Sequence, residues 1–197
     1  ELGGKAPLIV LDDADLEEAA RAVVFGAFAN QGQICMSTER VVVDEKVADD
    51  FVEILAQKTR SLSVGDPRKE DVAVGCLVSV AAAERVEGLI REAVRKGAKI
   101  VVGGQRSGAL LWPTVLDRVT PEMRIYHEES FGPVVAVVRV PNSDEAVRVA
   151  NDTEYGLAAS VFSRDIPKAL EVARRIQSGM CHINGPTVYD EPQMPFG

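Results

Sequence analysis

The sequence predicts an α/β fold, a three-layer domain with a largely parallel sheet between helices. Two observations lead to this prediction. Short aliphatic runs alternate along the chain with amphipathic segments of helical period, which is the pattern of strands joined by helical crossovers. The chain also has 197 residues, of which 46% are hydrophobic, and this is enough for one sizeable core. No internal repeat, low-complexity segment or linker divides it.

The strands are predicted from aliphatic runs bounded by turn residues. The first run, residues 7–11, is continuously apolar, as expected for a strand buried on both faces. Further extended runs follow at 40–43, 98–102, 112–116, 133–140, 157–162 and 180–184.

Helices are predicted between these runs, where apolar residues recur every three or four positions. Asp15 and Glu18 form a capping box at the start of the first helix. Gly97 is placed to end the third. The predicted helices cover 15–27, 47–62, 79–96, 143–150 and 165–179, and the glycine-rich stretch 103–108 is predicted as a loop.

Composition excludes several classes of function. The net charge is −8 with a pI near 4.9, and no block of lysine and arginine is present, so we expect neither nucleic acid nor a membrane surface as partner. Small molecules and protein partners remain. No apolar run approaches a membrane span and no secretory signal is recognised, so the expected location is cytoplasmic. The odd number of widely spaced cysteines indicates reduced thiols.

One cysteine, Cys35, stands in a polar, glycine-broken loop directly after a helical pattern. Amides, hydroxyls and Arg40 flank it, and such neighbours favour the thiolate over the thiol. The residues alone leave three alternatives open: a small buried side chain, a nucleophile paired with His127 or His182, and a nucleophile assisted by carboxylates. Two histidines without CxxC or HExxH spacing predict no metal site.

Two carboxylates in glycine-flanked positions, Glu1 and Glu129, accompany this cysteine. The segments that carry Glu1 and Cys35 resemble the paired glutamate and cysteine signatures of the aldehyde dehydrogenase superfamily, and the resemblance continues through the segment of Glu129. The similar segments, in the same order as in the family, are ELGGK at 1–5, FANQGQIC at 28–35, GDP at 65–67, PTVL at 113–116, EESFGPV at 128–134, ANDTEYGL at 150–157 and PFG at 195–197.

The resemblance implies a role for each matching residue. Cys35 corresponds to the nucleophile that forms a thiohemiacetal and then a thioester, and Glu1 to the general base that activates water for hydrolysis. Glu129 corresponds to the residue that binds the nicotinamide ribose hydroxyls, and Phe131 to one that packs near that ring. Leu2 and Gly3 border the site on the cofactor side. The cofactor is expected to be NAD or NADP, and the sequence does not distinguish them.

The neighbours of the cysteine are most similar to those of bacterial members that oxidise aromatic aldehydes such as salicylaldehyde, benzaldehyde or vanillin. The implied substrate-pocket residues are Ile34, Met36, Asn184, Tyr189 and Phe196. An apolar pocket of this composition favours a flat ring. The alternative is that these side chains simply pack in the core.

The resemblance also implies that residues 1–197 are part of a catalytic domain. The family's Rossmann-type cofactor domain and its C-terminal end would lie outside this chain, so we expect the isolated chain to bind cofactor poorly and to be inactive. The full-length protein is expected to form a homo-oligomer, a dimer or tetramer. A non-catalytic binding or structural protein that retains the fold is the competing hypothesis.

Overall fold

The computed structural model describes residues 2–196, and the alternation of strands and helices is present throughout them. The strands are β1 (Ala6–Val10), β2 (Thr38–Asp44), β3 (Lys99–Val102), β4 (Arg106–Ser107), β5 (Leu110–Leu111), β6 (Thr114–Asp117), β7 (Val134–Val140), β8 (Ala158–Phe162) and β9 (Met180–Ile183). The helices are α1 (Leu16–Phe28), α2 (Ala48–Arg60), α3 (Val80–Arg95), α4 (Arg124–His127), α5 (Ser143–Asn151) and α6 (Ile166–Ala173). None of the helices described is long and apolar enough to cross a membrane.

Seven of these strands form one sheet in the order β3-β6-β7-β2-β1-β8-β9. Every neighbouring pair is parallel except β3 and β6, which run antiparallel. Parallel neighbours require long crossover connections, and the helices supply them here. The amino ends of β1, β2 and β7 therefore lie along one edge of the sheet.

Helices cover both faces of this sheet, because successive side chains of a strand point to opposite sides. In β1, Leu8 and Val10 pack in the cluster that contains α1 and α2, whereas Ile9 packs in the cluster that contains α3, α5 and α6. Residues 41–43 of β2 divide in the same way. The prediction of a three-layer domain with a largely parallel central sheet is confirmed.

Two short elements differ from the predictions. The stretch 103–108 is not entirely a loop, since β4 pairs antiparallel with β5 in a separate two-stranded hairpin. Helix α4 was not predicted at all. Each of these elements has four residues or fewer, which is too short to produce a recognisable hydrophobic period.

The prediction that the last helix continues to Gly179 is wrong, because α6 ends at Ala173. The side chain of Asn151, at the end of α5, captures the chain beyond that point. Its amide nitrogen donates to the carbonyl of Arg175 at 2.9 Å and its amide oxygen accepts from the N–H of Gln177 at 2.8 Å. These bonds favour an irregular turn over further helix.

Candidate active site

The loop that carries Cys35 is shaped by three consecutive residues in the left-handed region. Asn30, Gln31 and Gly32 have φ values of 48°, 60° and 70°, a conformation that costs a residue with a side chain about 1 kcal/mol or more. At Gly32 a Cβ would overlap the carbonyl oxygen of Gly132. The loop thus turns the chain from α1 into β2, and it leaves Cys35 partly buried just before the strand begins.

The second glycine of the Gly3–Gly4 pair packs directly against this loop. A Cβ at Gly4 would overlap the carbonyl oxygen of Cys35, so only glycine allows the two backbones to approach this closely. The N–H of Gly4 also donates to Oε1 of Glu129 at 2.9 Å. Gly4 therefore contacts both the segment of Cys35, the predicted nucleophile, and the carboxylate predicted to bind ribose.

Glu1 itself lies outside the described residues, so its predicted role as a base stays a prediction. Its neighbours are described: Leu2 is 99% exposed, and Gly3 has a φ of 110°. A Cβ at Gly3 would lie 3.0 Å from Cε1 of Tyr155 and 3.3 Å from Oε2 of Glu129. Gly3 is thus beside the Glu129 carboxylate, and its place on the cofactor side stays a prediction.

The loop that carries Glu129 precedes β7 and reaches the same edge of the sheet. Phe131 is 39% exposed and has a left-handed φ of 47°. Its N–H donates to Oε1 of the buried Glu39 at 3.1 Å, and that carboxylate also forms an ion pair with Lys5 at 2.8 Å. The structure therefore brings together Cys35, Gly3, Glu129 and the Phe131 loop.

A small apolar cluster lies beside the cysteine. It comprises Ala6, Met36, Leu157 and Ala158, with Ile34, Cys35, Met180 and Val188 packed against it. Two of the predicted pocket residues, Ile34 and Met36, are therefore in one cluster with the candidate nucleophile. Contact of these two side chains with the substrate stays a prediction.

The segment after β9 returns to this cluster through Thr187. The buried hydroxyl of Thr187 donates to the carbonyl of Met36 at 2.6 Å and lies 2.9 Å from Oγ1 of Thr38. Two residues further on, the ring of Tyr189 lies 6.1 Å from the ring of Phe25. Both rings are about half exposed, at 56% and 51%.

Phe25 was not among the predicted site residues. The sequence did contain a signal for it, because Phe25 falls outside the buried face of α1, where an aromatic side chain is not needed for the core. Phe196 is 47% exposed, and its role stays a prediction.

Asn184 is not brought to Cys35. It follows β9, level with the carboxyl end of β1, and its amide is bonded in both directions to the backbone of Ser163 at 3.0 Å. Its φ of 53° is left-handed, and the side-chain bonds hold that turn. The prediction that Asn184 lines the substrate pocket is not supported by this geometry.

The expectation that Arg40 favours the Cys35 thiolate is not supported by its contacts. Arg40 is buried, and its guanidinium donates to the carbonyls of Asp152 at 3.0 Å and Ala150 at 3.2 Å. It also lies 4.9 Å from the centre of the Tyr126 ring. Burial lowers the pKa of Arg40. Arg40 therefore holds the end of α5, where exposed helix carbonyls favour a cation.

The two histidines have separate surroundings. Nε2 of His127 lies 2.9 Å from the carbonyl oxygen of Pro121. Burial lowers the pKa of His182, and the negative charge of Asp190 partly opposes this shift. Nε2 of His182 is buried without a hydrogen-bond partner. Among residues 2–196, no group of three or more His, Cys, Asp or Glu side chains is arranged to hold a metal ion.

Comparison with known proteins identifies the family. The aldehyde dehydrogenase family profile matches residues 1–197, the whole chain. The chain belongs to the aldehyde dehydrogenase family. The resemblance seen in the sequence motifs is confirmed.

Individual relatives of this aldehyde dehydrogenase chain are similar along its full length. It is 58% identical to a vanillin dehydrogenase of Pseudomonas fluorescens over 100% of the chain and 41% of the relative. A salicylaldehyde dehydrogenase from Pseudomonas putida G7, solved with salicylaldehyde, superposes with a TM-score of 0.97 at 55% identity, over 99% of this chain and 40% of that one. The chain spans about two fifths of the length of the curated relatives it matches.

A more distant neighbour carries a cofactor. The NADP-dependent glyceraldehyde-3-phosphate dehydrogenase from Bacillus halodurans, solved with NADP, superposes with a TM-score of 0.96 at 41% identity, over 100% of this chain and 41% of that one. The aldehyde dehydrogenase fold of this chain is therefore shared by relatives with different named substrates.

Proposed function

We propose that this chain is the cysteine-bearing catalytic domain of an enzyme that oxidises an aldehyde to its carboxylic acid with NAD or NADP. The observation that carries the proposal is the double contact of Gly4. Its backbone packs against the carbonyl of Cys35, and its N–H donates to Glu129. Nucleophile, cofactor carboxylate and the segment that follows Glu1 thus meet at one edge of the sheet.

In the proposed reaction, the thiolate of Cys35 attacks the aldehyde carbon and forms a carbon–sulfur bond, while the π bond of the carbonyl opens and its electron pair moves to oxygen. NAD or NADP, when bound, would accept the hydride that leaves the same carbon as the carbonyl re-forms, which leaves a thioester on Cys35. Glu1 then takes a proton from a water molecule, which attacks the thioester carbon. The carbon–sulfur bond breaks, the acid leaves and the Cys35 thiolate is regenerated.

The residues present fit a nucleotide ribose. A carboxylate offers about four acceptor positions, so Glu129 can receive ribose hydroxyls in addition to the N–H of Gly4. The absent side chain of Gly3 keeps the approach to that carboxylate open. The half-exposed ring of Phe131 supplies a flat apolar surface nearby. The neighbour solved with NADP supports the choice of a nicotinamide cofactor.

The Glu1→Gln variant of the full-length protein tests the proposed activity. Because glutamine cannot take a proton from water, we expect acylation to proceed and thioester hydrolysis to slow by about 10²-fold. A rapid-mixing experiment with benzaldehyde should show a burst of NADH or NADPH followed by a slow steady state. Normal steady-state turnover by the variant would contradict the assignment of Glu1 as the base.

An aromatic aldehyde is the proposed substrate class. The named substrates of similar relatives, vanillin and salicylaldehyde, support it. The paired rings of Phe25 and Tyr189 also support it. Aromatic rings prefer tilted or offset neighbours at such distances, so these two favour a substrate that has a ring of its own. Ile34 and Met36 add apolar surface beside Cys35.

Removing one ring should lower the preference for aromatic substrates. We expect Tyr189→Ala or Phe25→Ala to reduce kcat/KM for benzaldehyde by about fivefold, since a ring pair contributes about 1 kcal/mol beyond the area that it buries. The value for butanal should change much less. Leu170→Ala, which alters an exposed residue on α6, is the matched control. Equal losses for both aldehydes would argue that the rings only pack.

Two broader predictions complete the proposal. We expect the full-length enzyme to be cytoplasmic and to form a dimer or tetramer. Residues 1–197 would then be one part of each subunit, with the cofactor domain contributed by other parts of the protein.

A further inference from the structure

Three charged side chains from three different elements hold the backbone of residues 128–131, which we call the cofactor loop. Lys5 of the Gly3–Gly4 segment donates to the carbonyl of Glu128 at 2.7 Å. Arg85 of α3 donates to the carbonyls of Glu129, at 3.1 Å, and Ser130. Glu39 of β2 accepts hydrogen bonds from the N–H groups of Ser130 and Phe131. Each peptide group around Glu129 therefore has a charged partner.

Both oxygens of Glu39 are engaged. Oε1 accepts from the N–H of Ser130 at 2.9 Å, from its hydroxyl at 2.8 Å and from the N–H of Phe131 at 3.1 Å. Oε2 accepts from Lys5 at 2.8 Å. The exposed fractions of Lys5 and Glu39 are only 1% and 4%. The carboxylate thus fixes two consecutive residues of the cofactor loop and binds one cation.

Stability alone is a weak explanation for such a pair. Burying an ammonium and a carboxylate costs several kcal/mol for each ion, and apolar replacements of similar volume are often equally stable. Burial lowers the pKa of Lys5 and the neighbouring charge of Glu39 opposes that effect, so each ion depends on the other. What the pair does provide is fixed geometry, because charge-assisted hydrogen bonds are short and directional.

The contacts close into a ring that includes Glu129. Its carboxylate accepts from Gly4, Gly4 is adjacent to Lys5, Lys5 binds Glu39, and Glu39 binds Ser130, which is adjacent to Glu129. Glu39 is also only four residues beyond Cys35. Glu39 therefore links the strand that follows Cys35 to the loop that carries the Glu129 carboxylate.

We propose that Glu39, paired with Lys5, is a positioning residue that sets the Glu129 carboxylate relative to Cys35 for binding of the nicotinamide ribose. The inference rests on the proposed function, because it takes Glu129 as the ribose-binding group. Displacement of such a group by about 1 Å is enough to lower activity strongly.

The test uses Glu39→Gln in the full-length protein. The shortest contacts of Lys5 and of the loop amides use different oxygens of Glu39. A glutamine has an acceptor oxygen at only one of these two positions, so one set of donors loses its partner. The dissociation constants of NAD+ and NADP+ are measured by calorimetry for the wild type and the variant. For the cofactor that the wild type prefers, we expect the constant to rise by about tenfold in Glu39→Gln. Hydrolysis of p-nitrophenyl acetate without cofactor, which needs Cys35 but not the ribose contact, should stay within about twofold.

Two further variants separate positioning from folding. Ser130→Ala removes only the hydroxyl bond to Glu39 and leaves both buried charges paired, so we expect a folded protein whose cofactor binding weakens by about threefold. Glu171→Gln removes a charge from an exposed site on α6 and should change neither measurement.

Unchanged cofactor binding in Glu39→Gln would overturn the inference. So would parallel losses of ester hydrolysis and cofactor binding in Glu39→Gln together with normal binding in Ser130→Ala, because that pattern indicates a folding defect. A wild-type protein that binds cofactor without oxidising aldehydes would contradict the proposed activity and leave the comparison of dissociation constants valid. Selective weakening of cofactor binding in both variants would support the positioning role.

Discussion

Cys35→Ala in the full-length protein is expected to abolish aldehyde oxidation. Without the thiol no carbon–sulfur bond forms, and loss of a covalent nucleophile typically lowers kcat by about 10⁴-fold or more. The measurement is the appearance of NADH or NADPH with benzaldehyde as substrate. Since Cys35 is only partly buried and at the edge of a small cluster, alanine should leave the fold and the cofactor affinity intact.

Cys181 provides the matched control. It lies in β9 and packs against the core, and burial raises the pKa of its thiol to about 11, so it is protonated at neutral pH. Cys181→Ala should therefore retain activity, and iodoacetamide should alkylate Cys181 more slowly than Cys35. If Cys35→Ala oxidised benzaldehyde at the wild-type rate, the nucleophile assignment would fail and the non-catalytic alternative would gain support.

Most of the fold followed from local patterns in the sequence. Continuous apolar runs marked strands buried on both faces, and residues 8–10 of β1 are indeed fully buried. Gly97 was predicted to end the third helix. Its φ of 110° and the bond from the N–H of Ala98 to the carbonyl of Ala93 form the expected motif, in which glycine takes a left-handed conformation.

The site was only partly predictable, because its charged contacts are distant in sequence. Proximity to Cys35 suggested Arg40 as its electrostatic partner. Glu39 and Arg40 are consecutive in β2 and point to opposite faces, so one reaches the cofactor loop and the other the end of α5. The partner Ser130 is 91 residues away, and the pairing depends on the register of β2 with β7, which local patterns do not specify.

Gly4→Ala is the second variant with a large expected effect. The added Cβ would overlap the carbonyl oxygen of Cys35. Neither backbone can move freely, since Gly4 is bonded to Glu129 and Ala6 pairs with Thr38. We expect a loss of about 3 kcal/mol in stability from the overpacking. A displaced nucleophile should also lower kcat/KM by about 10²-fold.

Gly88→Ala is the control that separates this clash from a general effect of replacing glycine. Gly88 is exposed within α3, and a Cβ there would meet nothing within 4 Å. Alanine has the higher helix propensity, so this variant should gain about 1 kcal/mol and keep full activity. Denaturant midpoints and benzaldehyde kinetics of both variants give the comparison. If Gly4→Ala matched Gly88→Ala in both, the close approach of Gly4 to Cys35 would not be required, and the contact that carries the proposed function would lose its significance.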